Sequence, residues 1–513
     1  MLRLLLVITT ISQVFSARIL GLFPCPSISH QVTFQPIWKE LSLRGHSVTI
    51  ISPNVIKERG LTNLTELDMG FTYDILSKPE NNFGKIMRKD NHPIYNIHYA
   101  LYTVELAITM MLESPDVQNL LKDDSEQFDL IMYEAVHPLA AIFSAKYRVP
   151  TIGIQSMPGF TATHDMVGNP TNPVTTTDPM LPFGVNKSFP ERIKSVLYQM
   201  ILRFYWNWYL LPRVDTIARK YLNNNIPYMG DVEKNVSLLL LNTNVVMNYP
   251  RPNVPNVVEI GQMHIKKKKP LPKNLKAFLD KSKTGVVYFS LGSNVKSANE
   301  SKDFVYKVKA ALGSLPYDVV WKWETDTMEN KPDNILLQKW LPQQDLLGHP
   351  NIRVFVTQGG LQSIEESISN GVPMVILPII ADQPFNAKRM ENLRIAKVLE
   401  IETMTRDQLH EAIVEVAQTK EYKDNVLKYQ KLILDQPNTG IEKAIWWIEY
   451  VLRHNGATHL RYSAVDTPFY KYYLLDVISF FIVMVISFLF VLVKLYKIII
   501  YFSNDIKKSK KID

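Results

Sequence analysis

Apolar residues fall in short unbroken blocks along most of this chain, and between the blocks they return at helical spacing. The blocks are "ARILGLFP", "SVTIIS", "FDLIMYEA" and "VPTIGIQS" in the first half, then "GVVYFSLGS", "YDVVWKW", "IRVFVTQGG" and "VPMVILP" in the second. Runs that are apolar throughout, rather than alternating, belong to strands buried on both faces, the condition of a parallel sheet covered by helices. Between the first two blocks, Phe34, Ile37, Trp38 and Leu41 predict a helix over His30 to Leu43 that Gly45 closes. Helical spacing recurs in "HPLAAIFSAKY", Asp303 to Leu312, Leu361 to Ser369, Gln383 to Leu393 and most of Thr405 to Leu452. The expected fold class is α/β: two Rossmann-like doubly wound lobes facing a cleft, with ligands outside the carboxyl ends of the strands.

Breaks in the pattern mark the boundaries. Residues 157–189 are rich in Pro, Thr, Gly and Asn, too long for a simple connection, and read as a functional loop region. The Pro- and Lys-dense stretch 248–272 reads as a linker between an N-terminal lobe, 18–247, and a C-terminal lobe, 273–455. A juxtamembrane segment, 456–473, precedes "LLDVISFFIVMVISFLFVLV", residues 474–493, which has only Asp476 at its edge and Ser479 and Ser487 inside. That length and polarity predict a transmembrane helix. Residues 1–17 have one early cation, an apolar stretch and then Ser16 and Ala17, the anatomy of a signal peptide.

Charge changes this picture mainly at the tail. The formal charge is +8, but the lysines cluster at Lys266 to Lys269 and beyond the apolar span. Without a basic stripe interleaved with aromatics, nucleic acid is not an expected partner. Lysines 494, 497, 507, 508, 510 and 511 mark 494–513 as a cytosolic tail, making the protein single-pass, type I. Lys510 and Lys511 in the final "KKID" resemble the dilysine retrieval signal of endoplasmic reticulum membrane proteins, although a lysine-rich tail also produces that pattern by chance. The expected location is the endoplasmic reticulum membrane with both lobes lumenal. Sequons at Asn63, Asn186, Asn235 and Asn299 fit that side of the membrane, whereas Asn169 precedes Pro170 and is excluded. Cys25 is the only cysteine, so the chain forms no intramolecular disulfide.

The candidate chemistry is densest in the second half. Gln358-Gly359-Gly360 joins a strand's carboxyl end to a helix N-terminus, where free N–H groups and the helix dipole favour an anion. On the helix, Gln362 and Glu366 share a face opposite Leu361, Ile364 and Ile368, so Glu366 is expected to accept from vicinal hydroxyls and Glu365 to be solvated. Trp340 suits stacking on a base, and Asp382 with Gln383, at the next strand end, suits polar hydroxyls. Each has a bland reading alone: Trp340 as core, Glu366 as a solvated helix face, Gly359-Gly360 as a plain turn.

Together they carry a resemblance. The run Phe355 to Gln383, through Thr357, Gln358, Gly359, Gly360, Ser363, Glu366, Pro373, Pro378, Asp382 and Gln383, is similar to the signature of the UDP-glycosyltransferases, family 1. "SLGSNV", "WLPQQDLLGHP" and "NYPRPNVPNV" extend the likeness over nearly the whole chain, toward the membrane-anchored animal branch. The resemblance implies a GT-B fold that uses no metal or cofactor, UDP-sugar being a co-substrate held by the C-terminal lobe. It implies that Trp340 stacks on uracil, the Gln343 backbone bonds its edge, Glu366 takes the ribose hydroxyls, Ser293, Gln358 and Gly359 hold the diphosphate, and Asp382 and Gln383 hold the sugar. Many relatives have His at the position of Gln358, and Gln cannot carry that charge.

In the N-terminal lobe the resemblance implies that His30, in "PSISHQ", is the catalytic base. An acceptor hydroxyl must lose a proton as it attacks, and histidine titrates near working pH. Its carboxylate partner is Glu134, where most relatives have Asp. Asp129 reads as a strand-start residue, and His137 is a competing partner for Glu134. The implied reaction is inverting transfer of a hexose, glucose by the branch, to a hydroxyl of a small lipophilic acceptor, as in detoxification. The aromatic stretches Tyr95 to Leu112 and Tyr198 to Tyr209 are expected to line the acceptor pocket, with core packing as the alternative. A rival reading is a catalytically weakened UDP-sugar-binding accessory protein, and a further one a receptor ectodomain without chemistry. An oligomer is compatible with either.

Overall fold

The computed structural model describes residues 16–77 and 92–509. Most of the signal-peptide segment, and both Lys510 and Lys511, lie outside the described residues.

The apolar blocks form two parallel sheets. The first comprises β1 (Arg18–Leu22), β2 (Ser47–Ser52), β3 (Leu64–Asp68), β4 (Leu130–Glu134), β5 (Thr151–Gln155), β6 (Leu238–Leu241) and β7 (Val257–Glu259), in the order β3-β2-β1-β4-β5-β6-β7. The second comprises β8 (Val286–Ser290), β9 (Asp318–Lys322), β10 (Ile335–Gln338), β11 (Ile352–Thr357), β12 (Met374–Ile376) and β13 (Ala396–Val398), in the order β10-β9-β8-β11-β12-β13. Strands β4, β5, β6 and β8 are buried at every residue, as their unbroken apolar sequences require. In both sheets the order reverses beside the first strand: β1 pairs with β2 and β4, and β8 pairs with β9 and β11. These switch points open crevices at the carboxyl ends of β1, β4, β8 and β11.

The helices fall close to their sequence expectations. The first spans Ile28–Leu43 and ends at Gly45, whose φ of 91° is open to glycine without strain. Its Phe34, Ile37, Trp38 and Leu41 are fully buried, each contributing about 1.5–3 kcal/mol of transfer free energy.

Two boundaries differ from expectation. The stretch 248–272 is more than a linker, because its Val257–Glu259 pairs with β6 as the seventh strand. The helix Gly440–Arg453 belongs by packing to the N-terminal lobe: Ile445, Ile448 and Val451 join one core cluster with Ile19, Trp38 and Leu41. A capping box of Thr439 and Glu442 starts that helix after the chain has crossed back. Sequence spacing predicts the helix but not the sheet it covers.

The described residues from Tyr462 onward form a separate unit. Its helix Leu475–Ser509 has an apolar run, Leu475–Asn504, of 30 residues, about 45 Å, long enough to cross a membrane.

Candidate functional site

A cavity of about 870 Å³ opens between the lobes, lined by Cys25, His30 and Ser156 from the first and Ser293, Gln358 and Asp382 from the second. The lobes touch at its rim, where Asn294 Nδ2 donates to Ser27 Oγ at 3.0 Å and Gln362 Nε2 to the Ser156 carbonyl at 3.0 Å.

His30 stands in the first turn of Ile28–Leu43, just past β1, and Glu134 is the last residue of β4, the strand next to β1. Adjacent parallel strands therefore deliver both groups to one spot. His30 Nδ1 lies 2.5 Å from Glu134 Oε1 and 3.0 Å from Ser156 Oγ. Glu134 is 1% exposed, and its Oε2 accepts from the Cys25 backbone N–H at 3.0 Å, so the carboxylate is held at both oxygens. Glu is thus long enough to make the pair. Both of these contacts use Nδ1, and the Cys25 side chain also bonds the ring, so Nε2 is the nitrogen on which a further proton would be taken. Burial alone would lower the imidazole pKa, but the neighbouring Cys25 thiol and Glu134 carboxylate outweigh it and hold His30 well above the ordinary value.

Neither alternative acid–base residue joins this pair. Asp129 Oδ2 accepts from the Arg18 backbone N–H at 2.7 Å, a strand-start contact. His137 Nδ1 accepts from the Leu139 N–H at 3.2 Å, capping a short helix, and burial pushes its pKa down to about 3.

On the second lobe, Gln358 follows β11 and lines the cavity, while its Oε1 has no hydrogen-bond partner among the described residues. Gly359 has a φ of 86°, and a Cβ there would meet Ile376 Cγ2 at 2.7 Å, so the turn tolerates only glycine. Gly360 caps the helix Leu361–Ser369 and also lines the cavity. Asp382 sits past β12 at the start of the helix Gln383–Asn392 rather than at a strand end. Its Oδ2 accepts from Asn386 Nδ2 at 2.8 Å, and burial raises its pKa. Ala381 precedes it at a φ of 55°, a strained conformation of the kind that gathers at ligand sites. Gln383 Oε1 accepts from the Ile379 and Ile380 N–H groups, both at 2.9 Å, so its amide nitrogen is the end left for a ligand.

Trp340, Gln343, Gly359 and Glu366 do not line the cavity. Trp340 is 62% exposed, ruling out its core reading, with Lys322 Nζ 5.8 Å from its ring centroid. The Gln343 side chain donates to Glu366 Oε2 at 2.8 Å and to Ser363 Oγ at 2.9 Å, and accepts from Tyr288 O–H at 2.9 Å. Glu366 is mostly covered, and burial pushes its pKa up to about 7.

Glu365 corrects the sequence reading: it is 0% exposed, not solvated. Its Oε1 accepts from the Gln262 N–H at 3.1 Å and its Oε2 from Asn242 Nδ2 at 3.4 Å, and His264 Nδ1 lies 3.5 Å away. Helix periodicity alone sets this residue outward; residues 242–264, distant in sequence, cover it. Burial pushes its pKa up to about 8.

The aromatic stretches also differ from expectation. From the first, the aliphatic Ile97, Leu101 and Val104 line the cavity, whereas Tyr95 and Tyr102 are exposed. From the second nothing does: Tyr198 and Trp206 are core, and Trp208 is 75% exposed. Cys25 and Ser156 are cavity residues the sequence reading missed; their only signal was position, just past the ends of β1 and β5. Asn63, Asn186, Asn235 and Asn299 are all exposed, and Asn299 also lines the cavity.

Known proteins agree with this architecture. A glycosyltransferase titled the calicheamicin glycosyltransferase CalG4 superposes with a TM-score of 0.58 at 17% identity, covering 86% of this chain and 99% of its own, and the fold is GT-B. The chain is 31% identical over 482 residues to UDP-glycosyltransferase UGT5 of Dactylopius coccus, covering 92% of this chain and 90% of the relative. It is 31% identical over 471 residues to human UDP-glucuronosyltransferase 1A3, covering 88% and 86%. Residues 21–511 match the family model described as UDP-glucoronosyl and UDP-glucosyl transferase. With two doubly wound lobes around one cleft and a match along almost its full length, this chain belongs to the UDP-glycosyltransferase family and is a transferase.

Proposed function

We propose that this UDP-glycosyltransferase moves a hexose, glucose, from its UDP-sugar to a hydroxyl of a small lipophilic acceptor, with inversion and without a metal or further cofactor. The observation that carries this reading is the His30–Glu134 pair, at 2.5 Å, across one cavity from the Gln358 turn.

The acceptor lies against Ile97, Leu101 and Val104, with its hydroxyl toward His30 Nε2. Nε2 takes the hydroxyl proton as the oxygen attacks the anomeric carbon, the bond from that carbon to the phosphate oxygen breaks, and UDP leaves with the electron pair. Glu134 stabilises the imidazolium through Nδ1–H. The charge on the departing diphosphate is met by the first N–H groups of Leu361–Ser369, the Gln358 amide and Ser293. Asp382 and the Gln383 amide hold the sugar hydroxyls, Glu366 the ribose, and Trp340 and Gln343 the uracil.

The apolar helix Leu475–Ser509 anchors the chain in the endoplasmic reticulum membrane, with the lobes lumenal and glycosylated at the exposed sequons. A second reading, a UDP-sugar-binding accessory protein, is favoured only by the neutral Gln358. Membranes containing the protein, given UDP-glucose or UDP-glucuronate with a panel of phenols and lipophilic alcohols, should release UDP only when an acceptor is present and faster from UDP-glucose. UDP-sugar binding without any acceptor-dependent release would establish the accessory reading instead.

A further inference from the structure

Cys25 follows β1, His30 stands in the next helix and Glu134 ends β4, and their ligand atoms all lie within 4.8 Å of one another. Thiol, imidazole and carboxylate are the three donor types that hold zinc-class cations. Metal–ligand bonds of about 2.0–2.3 Å set the donors of a tetrahedral site roughly 3.3–3.8 Å apart, so closure on an ion takes shifts of about an ångström. Pro24 and Pro26 flank Cys25 and restrict the loop that carries it. The Cys25 N–H bond to Glu134 Oε2 already fixes the carboxylate beside the thiol. Cys25 and His30 line the cavity while Glu134 is buried, so a three-ligand ion keeps its fourth position open to the cavity.

We propose that Cys25, His30 and Glu134 form a site for a thiophilic divalent cation of the zinc class, and that filling it stops transfer. The second half rests on His30 acting as the base. As the ion binds, the Cys25 thiol gives up its proton to solvent, the Nδ1 proton of the neutral imidazole passes to Nε2, and no oxidation state changes. The ion replaces the proton between His30 and Glu134, so Nε2 is already protonated and the imidazole can no longer take an acceptor proton. Because a proton is released, binding tightens as pH rises.

Titrating the full chain in detergent micelles with Co²⁺ tests the site directly, because thiolate–Co²⁺ ligation gives a near-ultraviolet charge-transfer band. Cys25 is the only cysteine, so no other residue can produce it. The expected result is a saturable band that Zn²⁺ bleaches, that Cys25→Ser abolishes, and whose midpoint rises at least tenfold in Glu134→Ala. Circular dichroism confirms that each variant is folded. No saturable band, or one indifferent to Glu134→Ala, overturns the site. In the transfer assay, Cys25→Ser should raise the half-inhibiting Zn²⁺ concentration at least tenfold, each protein referred to its own uninhibited rate; equal inhibition overturns the blocking role. A normal Co²⁺ band in a protein without any transfer activity supports the site and rejects the proposed transfer on which the blocking role rests.

Discussion

The two lobes prepare their polar groups in opposite ways. On the N-terminal side, His30, Glu134 and the Cys25 N–H satisfy one another without a ligand. On the C-terminal side, the Gln383 amide nitrogen is left over after its oxygen is used, and the turn at Gly360 leads into the helix Leu361–Ser369, whose first N–H groups are donors for a ligand. The difference follows from what each side does in the proposed reaction. A proton acceptor must be oriented before substrate arrives, or its reorganisation is added to the barrier. A diphosphate cradle must instead keep donors unspent for the ligand.

The largest break in this comparison is His30→Ala. It should lower kcat/KM by about 10³-fold, while UDP affinity, measured by calorimetry, changes by less than about threefold because the groups lie on separate lobes. A comparable loss of UDP affinity would mean that the lobes do not divide the work. Next is Glu134→Gln, expected to cost about 10²-fold in kcat/KM, since the imidazolium loses its counter-charge. It also moves the pH profile. With His30 held above its ordinary value, wild-type kcat/KM rises with pH along a limb above 6.5; removing the carboxylate charge moves that limb down. A limb that stays in place would show that Glu134 does not set the His30 pKa.

The fold and half of the site were legible in the sequence, and the reasons differ by residue. Strands buried on both faces leave an unbroken apolar run, so β1, β4, β8 and β11 are visible one by one, as is the glycine turn after β11. Long-range cover leaves no such mark. Glu365 reads as solvated because its partners, Asn242, Gln262 and His264, are remote in sequence, and Gly440–Arg453 reads as C-terminal because spacing gives a face but not its destination. Cys25 and Ser156 were missed because a single polar residue in a loop has no periodicity to betray it.

Donor-side changes should be smaller and fall on donor binding. Glu366→Gln should raise KM for the UDP-sugar about tenfold, a loss of about 1.4 kcal/mol. Its carboxyl titrates at about 7, so wild-type KM should fall as pH rises through 7, and the variant should lose that dependence. Smaller still is Gln358→His, which adds the charge common in relatives. UDP should bind about threefold tighter while the imidazole is protonated, with wild-type affinity restored at higher pH. Affinity gained equally at all pH values would point to shape rather than charge.

The smallest effect on donor binding tests whether Glu365 serves binding or only the closure of the lobes over the helix Leu361–Ser369. With a pKa near 8 in the fold against 4.5 for a free carboxyl, its protonated form is the one the native state prefers. Between pH 4.5 and 8 the native state therefore binds more protons than the unfolded chain, and stability falls as pH rises across that window. Glu365→Gln removes the charge and keeps the shape, and its amide can donate to Asn242 Oδ1 or His264 Nδ1, both unpartnered among the described residues. The variant should gain about 1–2 kcal/mol at pH 8, a few degrees in Tm by calorimetry, with the gain vanishing below pH 4.5. Donor KM should not move, because the residue that contacts donor in the proposed reaction is its neighbour Glu366. A rise in KM without any gain in Tm would instead make Glu365 part of the donor site and erase the distinction between the two adjacent acids.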